Sequence, residues 1–372
     1  MKIGFDAKRA FFNRSGLGNY SRNTIQLLYQ NFPNNEYFLY TPKIRGAIKF
    51  VNAEKIRIIS PNGIFNKTFN SSWRSFRISN QLIADGIELY HGLSNELPFN
   101  IHKKKIKSVV TIHDLIFIRY PNLYKPIDRF IYTKKCKYGC KYANIIIAIS
   151  QQTKADLINL FNIDKNKIEV VYQGCNSFFF EDVSEVLKAR IKEKYNLPSC
   201  FILQVGTIEE RKNLLSILKA LNIGEIDIPL VVVGKPTKYI QTVKQYIADK
   251  KFENIYFLHN VPMKDLPALY QMAEVFVYPS IVEGFGIPIL EALSSKTPVI
   301  TSKEGCFKEA GGKSSIYVDP LNIEQLKNAI GKVLSDSLYR TQIIKNGYEF
   351  AQNFREDKIA KNLMKVYLKA FE

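Results

Sequence analysis

The 372-residue chain is predicted to fold as two α/β domains, each built on a parallel β-sheet. Short apolar runs alternate with helical patterns along the whole chain, which is typical of parallel sheets covered by helices. The length exceeds the roughly 250–300 residues at which a single hydrophobic core usually stops growing. The composition, 46% hydrophobic and 23% charged, is that of an ordinary globular protein.

The first domain is expected to cover residues 1–178, and a final helix is expected over 355–372. Its predicted strands are 1–6, 37–40, 56–59, 87–91, 107–113, 145–149 and 168–172. Its predicted helices follow the glycine-containing loop 13–20, cover 126–142, and begin after Ser150, whose side chain is expected to cap the helix.

A connector over 179–198, with one short charged helix, leads to a second domain over 199–354. Its predicted strands are 201–205, 229–233, 255–258, 275–278 and 298–301, and its helices are 214–221, 266–272, 287–294 and 323–334. Ligands of parallel sheets bind beyond the carboxyl ends of the strands. With two such domains, the cleft between them is the expected site.

The net charge of +19 is unevenly distributed. Residues 1–150 carry 24 Lys and Arg against 8 Asp and Glu, whereas residues 151–372 carry 29 against 26. A basic half favours an anionic partner: lipid headgroups, nucleic acid or a phosphorylated acceptor. A general bias of the proteome towards Lys is the simpler alternative, but it would not concentrate in one half.

Cysteine usage and hydropathy narrow the class of protein further. The five cysteines are odd in number and scattered, which favours free thiols in a reduced compartment and no metal site. No segment approaches the roughly 18 consecutive apolar residues that a membrane-spanning helix needs. Charges at the N-terminus argue against a signal peptide. We therefore expect a cytoplasmic protein.

The strongest chemical signal is EGFGIPILE at residues 283–291, which follows a predicted strand. Gly284 and Gly286 let a ligand approach the backbone, and the proline that follows suits the first turn of a helix. The unpaired N–H groups at that helix start can bind phosphate. Glu283 and Glu291 would repel phosphate, so we expect them to accept hydrogen bonds from sugar hydroxyls on either side of it.

A second loop, VGTIEERKN at 205–213, follows the first strand of the second domain. Arg211 and Lys212 would point at the same strand-end crevice, where two cations can neutralise a diphosphate leaving group. Basic loop residues are usually just solvated, so this signal depends on its pairing with the segment 283–291.

Together these segments resemble the family 4 (group 1) retaining glycosyltransferases. The resemblance includes the Glu-x7-Glu segment with its Gly-Phe-Gly-x-Pro core, the loop 205–213, the Gly-x-Gly-x-Tyr loop at 16–20, residues 90–94 and TIHDL at 111–115. It implies the GT-B architecture: two Rossmann-like parallel-sheet domains facing a cleft, with the donor mainly on the C-terminal domain. It further implies an acceptor on the N-terminal domain and a C-terminal helix that crosses back to it.

The resemblance also implies the reaction: a sugar, with mannose suggested, moves from a GDP- or UDP-sugar with retention and without an obligatory metal or cofactor. The catalytic roles would belong to His113, Glu283 and Lys212. Lys212 and Arg211 would hold the diphosphate, Glu291 the ribose hydroxyls, and Glu283 the transferred sugar. The full set of implied donor contacts is Gly16, Gly18, Gly206, Arg211, Lys212, Glu283, Gly284, Phe285, Gly286 and Glu291.

Further roles implied by the resemblance concern two glycines, two histidines and the position of Thr207. Gly16 and Gly18 would let the N-terminal loop approach the diphosphate from the other side. His113 would face the transferred sugar or the acceptor, and His91, also at a strand end, is open to either role. Thr207 stands where many members of the family have an Arg, and Arg211 is the candidate to supply that charge.

The acceptor is expected to be a glycan, lipid-linked, used in cell-surface polysaccharide synthesis. Lys103–Lys105 and the Lys134–Lys141 cluster, mixed with Tyr132, Tyr138 and Tyr142, predict contact with an anionic membrane. Two alternative functions remain. The protein could be another enzyme of this architecture, such as a sugar-nucleotide epimerase, or a nucleic-acid-binding protein, which is suggested by charge alone. The sequence has no recognised nucleic-acid motif, so we expect no nucleic-acid partner.

Overall fold

The computed structural model describes residues 1–13, 16–44, 55–61 and 72–372. The chain divides into two compact units. The N-terminal unit consists of Met1–Gly174 together with Glu356–Glu372, and the C-terminal unit consists of Cys175–Arg355. The chain therefore leaves the N-terminal unit and returns to it.

In the described part of the N-terminal unit, the strands form one parallel sheet in the order β3-β2-β1-β4-β5-β6-β7. The strands are β1 (Lys2–Asp6), β2 (Glu36–Tyr40), β3 (Ile56–Ile59), β4 (Leu89–Gly92), β5 (Lys107–Ile112), β6 (Ile145–Ala148) and β7 (Ile168–Val170). The helices are α1 (Lys8–Phe12), α2 (Gly16–Asn31), α3 (Ile78–Ala84), α4 (Ile116–Arg119), α5 (Pro126–Tyr142) and α6 (Gln151–Phe161). The Ser150 side chain caps α6 as predicted, since it accepts from the Thr153 N–H at 3.0 Å.

The C-terminal unit repeats the design with a parallel sheet in the order β10-β9-β8-β11-β12-β13. Its strands are β8 (Ile202–Val205), β9 (Leu230–Val233), β10 (Ile255–Leu258), β11 (Val275–Tyr278), β12 (Val299–Ser302) and β13 (Ile316–Val318). Its helices are α7 (Glu185–Tyr195), α8 (Leu214–Ile223), α9 (Ile240–Asp249), α10 (Leu266–Met272), α11 (Ile287–Ser294), α12 (Phe307–Gly311), α13 (Ile323–Ser335) and α14 (Ser337–Ala351). Sequence analysis missed α9, α12, β13 and α14.

The last helix, α15 (Glu356–Lys369), packs on the N-terminal unit, which confirms the predicted return of the chain. Its buried face lies against α2 and joins the apolar cluster around β1. The residues of that face are Ile359, Ala360, Leu363, Met364, Val366 and Tyr367. This spacing of three and four residues makes one helical stripe, which can be buried only against another element.

Both sheets have a switch point, where the order of the strands reverses. In the N-terminal unit it lies between β1 and β4, and in the C-terminal unit between β8 and β11. Ligands of open parallel sheets bind at the carboxyl ends of the strands beside such points. Among the described residues, no helix is long and apolar enough to cross a membrane.

Candidate functional site

The switch point of the C-terminal sheet brings the predicted diphosphate residues together. β8 and β11 are hydrogen-bonded neighbours, and the loops 206–213 and 279–286 follow them. The Ile281 N–H and the Ser280 hydroxyl both donate to the Arg211 carbonyl oxygen, at 2.8 and 3.1 Å. These bonds tie the loops to each other, so Lys212 contacts Glu283 although 71 positions separate them.

The Glu283 carboxylate is the centre of this cluster. Its Oε1 accepts from Lys212 Nζ at 2.5 Å and from Arg211 Nη1 at 2.8 Å. The Ser280 and Tyr278 hydroxyls donate to the same oxygen at 2.6 and 3.0 Å. Burial alone would raise the pKa of Glu283, but Lys212 and Arg211 outweigh it and hold that pKa at about 2. The carboxylate is therefore ionised at neutral pH and orients both cations.

Lys212 is a buried cation with 8% of its surface exposed. Its Nζ donates to the Tyr278 hydroxyl and lies 4.8 Å from the centroid of the Tyr278 ring. Burial lowers the pKa of Lys212, and the charge of Glu283 counteracts this. Gly206 lies beside the Lys212 side chain with a φ of +146°, a conformation that favours glycine. Gly206 therefore shapes the loop that holds the lysine.

Arg211 forms a second ion pair, between its Nη2 and Glu209 Oε1, at 2.8 Å. The two cations thus face the carboxylates of Glu209 and Glu283, and the cluster is electrically balanced. Sequence analysis treated the cations as one site and Glu283 as a separate sugar contact. The structure instead joins them, so a diphosphate would have to compete with Glu283 for the hydrogen bonds of Lys212 and Arg211.

The glycine turn before α11 is set by its backbone. Gly286 directly precedes the helix and has a φ of +107°, which residues with a side chain rarely adopt. Gly284 is half-buried, and the neighbouring Phe285 ring is 2% exposed and anchors the turn in the core. The Cys306 thiol donates to the Glu283 carbonyl oxygen at 3.2 Å. The turn is held from both sides, and α11 begins immediately after it, where the Ile289 N–H donates to the Gly286 carbonyl oxygen at 2.9 Å.

Glu291 lies one turn into α11 in an environment opposite to that of Glu283. It is 9% exposed, and its Oε2 accepts from the Tyr270 hydroxyl at 2.9 Å. Burial raises the pKa of Glu291 to about 7, and the bond from Tyr270 lowers it only in part. The two carboxylates of the motif therefore differ: Glu283 is a fixed anion, and Glu291 exchanges its proton near neutral pH.

Gly16 and Gly18, which were predicted to lie in a loop over 13–20, lie instead at the start of α2, and they differ from each other. A side chain at Gly18 would place its Cβ 1.8 Å from the Asn13 carbonyl oxygen, so Gly18 is required by the close approach of the chain to itself. A Cβ at Gly16 would have none of the described atoms within 4 Å. Gly16 therefore has space beside it, whereas the space beside Gly18 is already filled.

His113 lies directly after β5 and is 4% exposed. Its Nε2 lies 2.9 Å from the Leu93 carbonyl oxygen and therefore carries the proton, which leaves Nδ1 as an acceptor. Gln173 Nε2 is 3.5 Å from that Nδ1. The backbone N–H of His113 donates to Asn95 Oδ1 at 2.8 Å. Burial lowers the pKa of His113 to about 4, so the ring is neutral at pH 7. A neutral Nδ1 can accept a hydrogen bond from a hydroxyl.

His91 is fully buried, and both ring nitrogens have partners inside the unit. Nδ1 contacts the Tyr367 hydroxyl and Nε2 contacts Thr111 Oγ1, at 2.6 and 2.8 Å. This distinguishes His91 from His113, which the sequence alone could not do. Sequence analysis named Tyr20 only as the last residue of the Gly-x-Gly-x-Tyr segment at 16–20. It missed the other polar partners of the predicted residues, which are Gln173, Tyr270, Tyr278 and Ser280; of these, Tyr278 and Ser280 lie close to the motif at 283–291.

Comparisons with known proteins identify the family of the chain. The family described as glycosyl transferases group 1 matches residues 187–350, and glycosyltransferase family 4 matches residues 15–177. The O-antigen chain mannosyltransferase B of Escherichia coli is 30% identical over 287 residues, which are 75% of this chain and 74% of that protein. The O-antigen chain mannosyltransferase RfbU of Salmonella typhimurium is 31% identical over 60% of this chain and 62% of its own.

A solved structure, Anabaena Alr3699/HepE in complex with UDP-glucose, matches 99% of this chain and 100% of its own with a TM-score of 0.78. The sequence identity is 16%, so this likeness concerns the fold, which is GT-B.

Proposed function

Since the chain belongs to the group 1 glycosyltransferases of family 4, we propose that it transfers mannose from a nucleotide-diphosphate sugar to a lipid-linked glycan during surface polysaccharide synthesis. Group 1 glycosyltransferases use nucleotide-sugar donors and glycan acceptors. Mannose is proposed because two relatives in O-antigen synthesis are named mannosyltransferases. Another enzyme of the same fold, such as an epimerase, would turn over the donor without an acceptor.

The observation that carries the proposal is the cluster of Lys212 and Arg211 at the switch point, beside the start of α11. Buried cations and helix N–H groups stabilise the negative charge that a departing nucleotide diphosphate acquires. In this assignment Glu291 accepts hydrogen bonds from the ribose. Glu283 holds the two cations in place and contacts the transferred sugar beside the backbone of the turn.

The reaction that we propose retains the configuration of the sugar and needs no obligatory metal. The acceptor oxygen bonds to the anomeric carbon on the face from which the diphosphate leaves. The bond between that carbon and the phosphate oxygen breaks, and its electron pair departs with the diphosphate. The proton of the acceptor hydroxyl passes to a diphosphate oxygen. In the N-terminal unit, His113 Nδ1 accepts a hydrogen bond from a sugar hydroxyl of the acceptor.

The donor assignment is tested by calorimetry of the purified protein with GDP-mannose, UDP-glucose, ADP-glucose and a CMP-sugar. A donor at 100 times its dissociation constant adds about 2.7 kcal/mol to the free energy of unfolding. For a unit of this size that raises Tm by roughly 5–10 °C. We expect the increase with GDP-mannose. An increase with another nucleotide would replace mannose as the sugar, and no increase with any of them would refute the donor site.

The proposed membrane contact is on the first turns of α5, not on Tyr138 and Tyr142. Tyr138 and Tyr142 pack on His102, and the Tyr142 and His102 rings stack at 4.1 Å. At the start of the helix, Ile127 is 62% and Phe130 54% exposed. The exposed apolar residues and two of the lysines after them share one stripe, made by Ile127, Phe130, Ile131, Lys134 and, two turns further on, Lys141.

An apolar helix start beside lysines has the character of a helix that rests on an anionic lipid surface. The Nζ of Lys134 lies 4.3 Å from the centroid of the Phe130 ring, so charge and apolar surface are adjacent. The start of another basic-aromatic segment, WRSFR at 73–77, does not share this character. Trp73 and Arg74 are buried, and Arg74 pairs with Asp6 at 2.6 Å.

Sedimentation with vesicles tests the membrane contact. We expect binding to phosphatidylglycerol-containing vesicles and little binding to phosphatidylcholine alone. The double variant Ile127→Ser/Phe130→Ser should bind at least about tenfold more weakly, because each side chain contributes roughly 1.5–3 kcal/mol when fully buried. The control is Leu338→Ser, an 83% exposed leucine of the C-terminal unit. Equal binding to both vesicle types, or equal loss in the control, would contradict the contact.

A further inference from the structure

A chain of buried hydrogen bonds runs from the last helix to the surroundings of His113. The Tyr367 hydroxyl lies 2.6 Å from His91 Nδ1, and His91 Nε2 lies 2.8 Å from Thr111 Oγ1. Thr111 Oγ1 lies 3.0 Å from the Tyr20 hydroxyl. The Tyr20 ring meets the His113 ring edge to face, with centroids 4.6 Å apart.

We propose that Tyr367 is a positioning residue for His113 and acts through His91, Thr111 and Tyr20. The residues come from separate elements: α15, β4, β5 and the first turns of α2. Thr111 and His113 are two positions apart at the end of β5, and residues at that spacing point to the same face of a sheet. A shift of Thr111 or Tyr20 is therefore transmitted directly to the His113 ring.

The surroundings of Tyr367 indicate that its hydroxyl does more than fill space. Tyr367 and His91 are both 0% exposed, and Tyr367 belongs to an apolar core cluster that also includes Phe5, Leu363 and Met364. A phenylalanine would bury the same ring without a polar group. A polar chain inside such a core is costly unless every member is satisfied, and a satisfied chain restricts the orientation of its members.

In the hydrogen bonds from Tyr367 to Thr111, the donors and acceptors follow a definite order. Burial lowers the pKa of His91 to about 3, so its ring is neutral and has one donor and one acceptor nitrogen. The buried Tyr367 O–H needs an acceptor, and His91 Nδ1 is in place. His91 Nε2–H then donates to Thr111 Oγ1. In the next bond, between Thr111 Oγ1 and the Tyr20 hydroxyl, either oxygen can be the donor. Without the Tyr367 hydroxyl, no donor to Nδ1 keeps the proton of His91 on Nε2. The Thr111 hydroxyl can then turn away from Tyr20 and donate to His91.

The kinetic consequence rests on the proposed function, because it requires His113 to act on the sugar. Tyr367→Phe is expected to lower kcat about tenfold, since misplacement of a group by a fraction of an ångström costs that order of rate. The KM for the donor nucleotide should stay within twofold, because Lys212, Arg211 and Glu291 lie in the other unit.

The matched control is Tyr37→Phe. Tyr37 is also 0% exposed and lies in the same apolar cluster, but its hydroxyl donates to the Leu28 and Phe32 carbonyl oxygens at 2.8 Å each. Both variants should lower Tm by a few degrees, and only Tyr367→Phe should lower kcat. Equal kcat in the two variants would overturn the proposal.

Nitrogen NMR of the histidine side chains supplies a readout independent of activity. The protein has four histidines, so each signal can be assigned by substitution of one histidine at a time. In Tyr367→Phe the ring nitrogens of both His91 and His113 should shift, whereas Tyr37→Phe should leave them unchanged. Shifts with no change in glycosyl transfer would refute the role of His113 and retain the hydrogen-bond chain. A shift at His91 alone would refute the chain.

A second pair of variants decides the matter if Tyr367→Phe does not fold. Thr111→Val keeps the shape of the side chain and removes the hydroxyl, whereas Thr111→Ser keeps the hydroxyl. We expect Thr111→Val to lower kcat and shift the NMR signals of His113. Thr111→Ser should keep kcat and the His113 signals close to those of the wild type. Equal behaviour of the two variants would overturn the proposal.

Discussion

Lys212→Ala is expected to lower kcat for glycosyl transfer by about 10²–10³-fold, the cost of losing one well-placed electrostatic donor in an active site. Lys212 is held in one position by Glu283 and Tyr278 and is 8% exposed. A buried charge of this kind interacts strongly with the charge that develops on a leaving group, because little water screens it. The measurement is steady-state kinetics with the donor that calorimetry identifies.

The control for this prediction is Lys244→Ala. Lys244 is an exposed lysine of α9 in the same unit, and its removal should leave kcat and KM unchanged. If Lys212→Ala raised only the KM of the donor, Lys212 would bind substrate and transition state equally, which would contradict its catalytic role. If kcat and KM both stayed at the wild-type values, the donor site would have to lie elsewhere.

Glu283→Gln is expected to lower the free energy of unfolding of the C-terminal unit by about 3 kcal/mol, the cost of leaving buried charges without their partner. Glu283 Oε1 is bonded to both Lys212 and Arg211, so the amide would leave two cations facing each other. For a unit of this size the change lowers Tm by roughly 6–12 °C. Scanning calorimetry is the measurement, because it resolves units that unfold separately.

The pH dependence of this effect has a definite sign. The folded-state pKa of Glu283, about 2, lies below the ordinary 4.5, so its stabilisation is present above pH 4.5 and is lost as the pH falls towards 2. The Tm difference between wild type and Glu283→Gln should therefore narrow over that window. Glu210→Gln, at an exposed position of the same loop, should change Tm little. An equally large effect of Glu210→Gln would show that the loop, and not the buried pair, determines the stability.

The sequence predicted most strands because their apolar runs are short and bounded by turns. Elements without a clear period were missed. In α14 only Ile343, Gly347 and Ala351 are buried, and these positions do not read as an apolar stripe. The short strand β13 has one fully buried residue, Val318. Tertiary packing, not local pattern, makes these segments regular.

The motifs also predicted which loops meet, because the carboxyl ends of neighbouring parallel strands lie at one edge of the sheet. They did not predict the pairing within the site. Glu283 was expected to contact the sugar, and the structure pairs it with Lys212 and Arg211. Pairing depends on the distance between two loops that are far apart in the sequence, which no local spacing encodes.

The histidines illustrate the same limit. His91 and His113 both end strands in matching motifs, and nothing in the sequence separates them. Only the return of α15 places Tyr367 against His91 and fills its Nδ1, while His113 keeps an acceptor nitrogen near Gln173.

The sequence by itself predicted the two parallel sheets from the period of its apolar residues, and its glycines and charges at fixed local spacing produced the motifs that resemble the family. The resemblance in turn implied the return of the last helix and the residues for phosphate and sugar. Only the tertiary structure decided which carboxylate is a fixed anion and which titrates near neutral pH, and which face of α5 is exposed. Burial and electrostatic pairing set those properties, and both depend on neighbours that are distant in the chain.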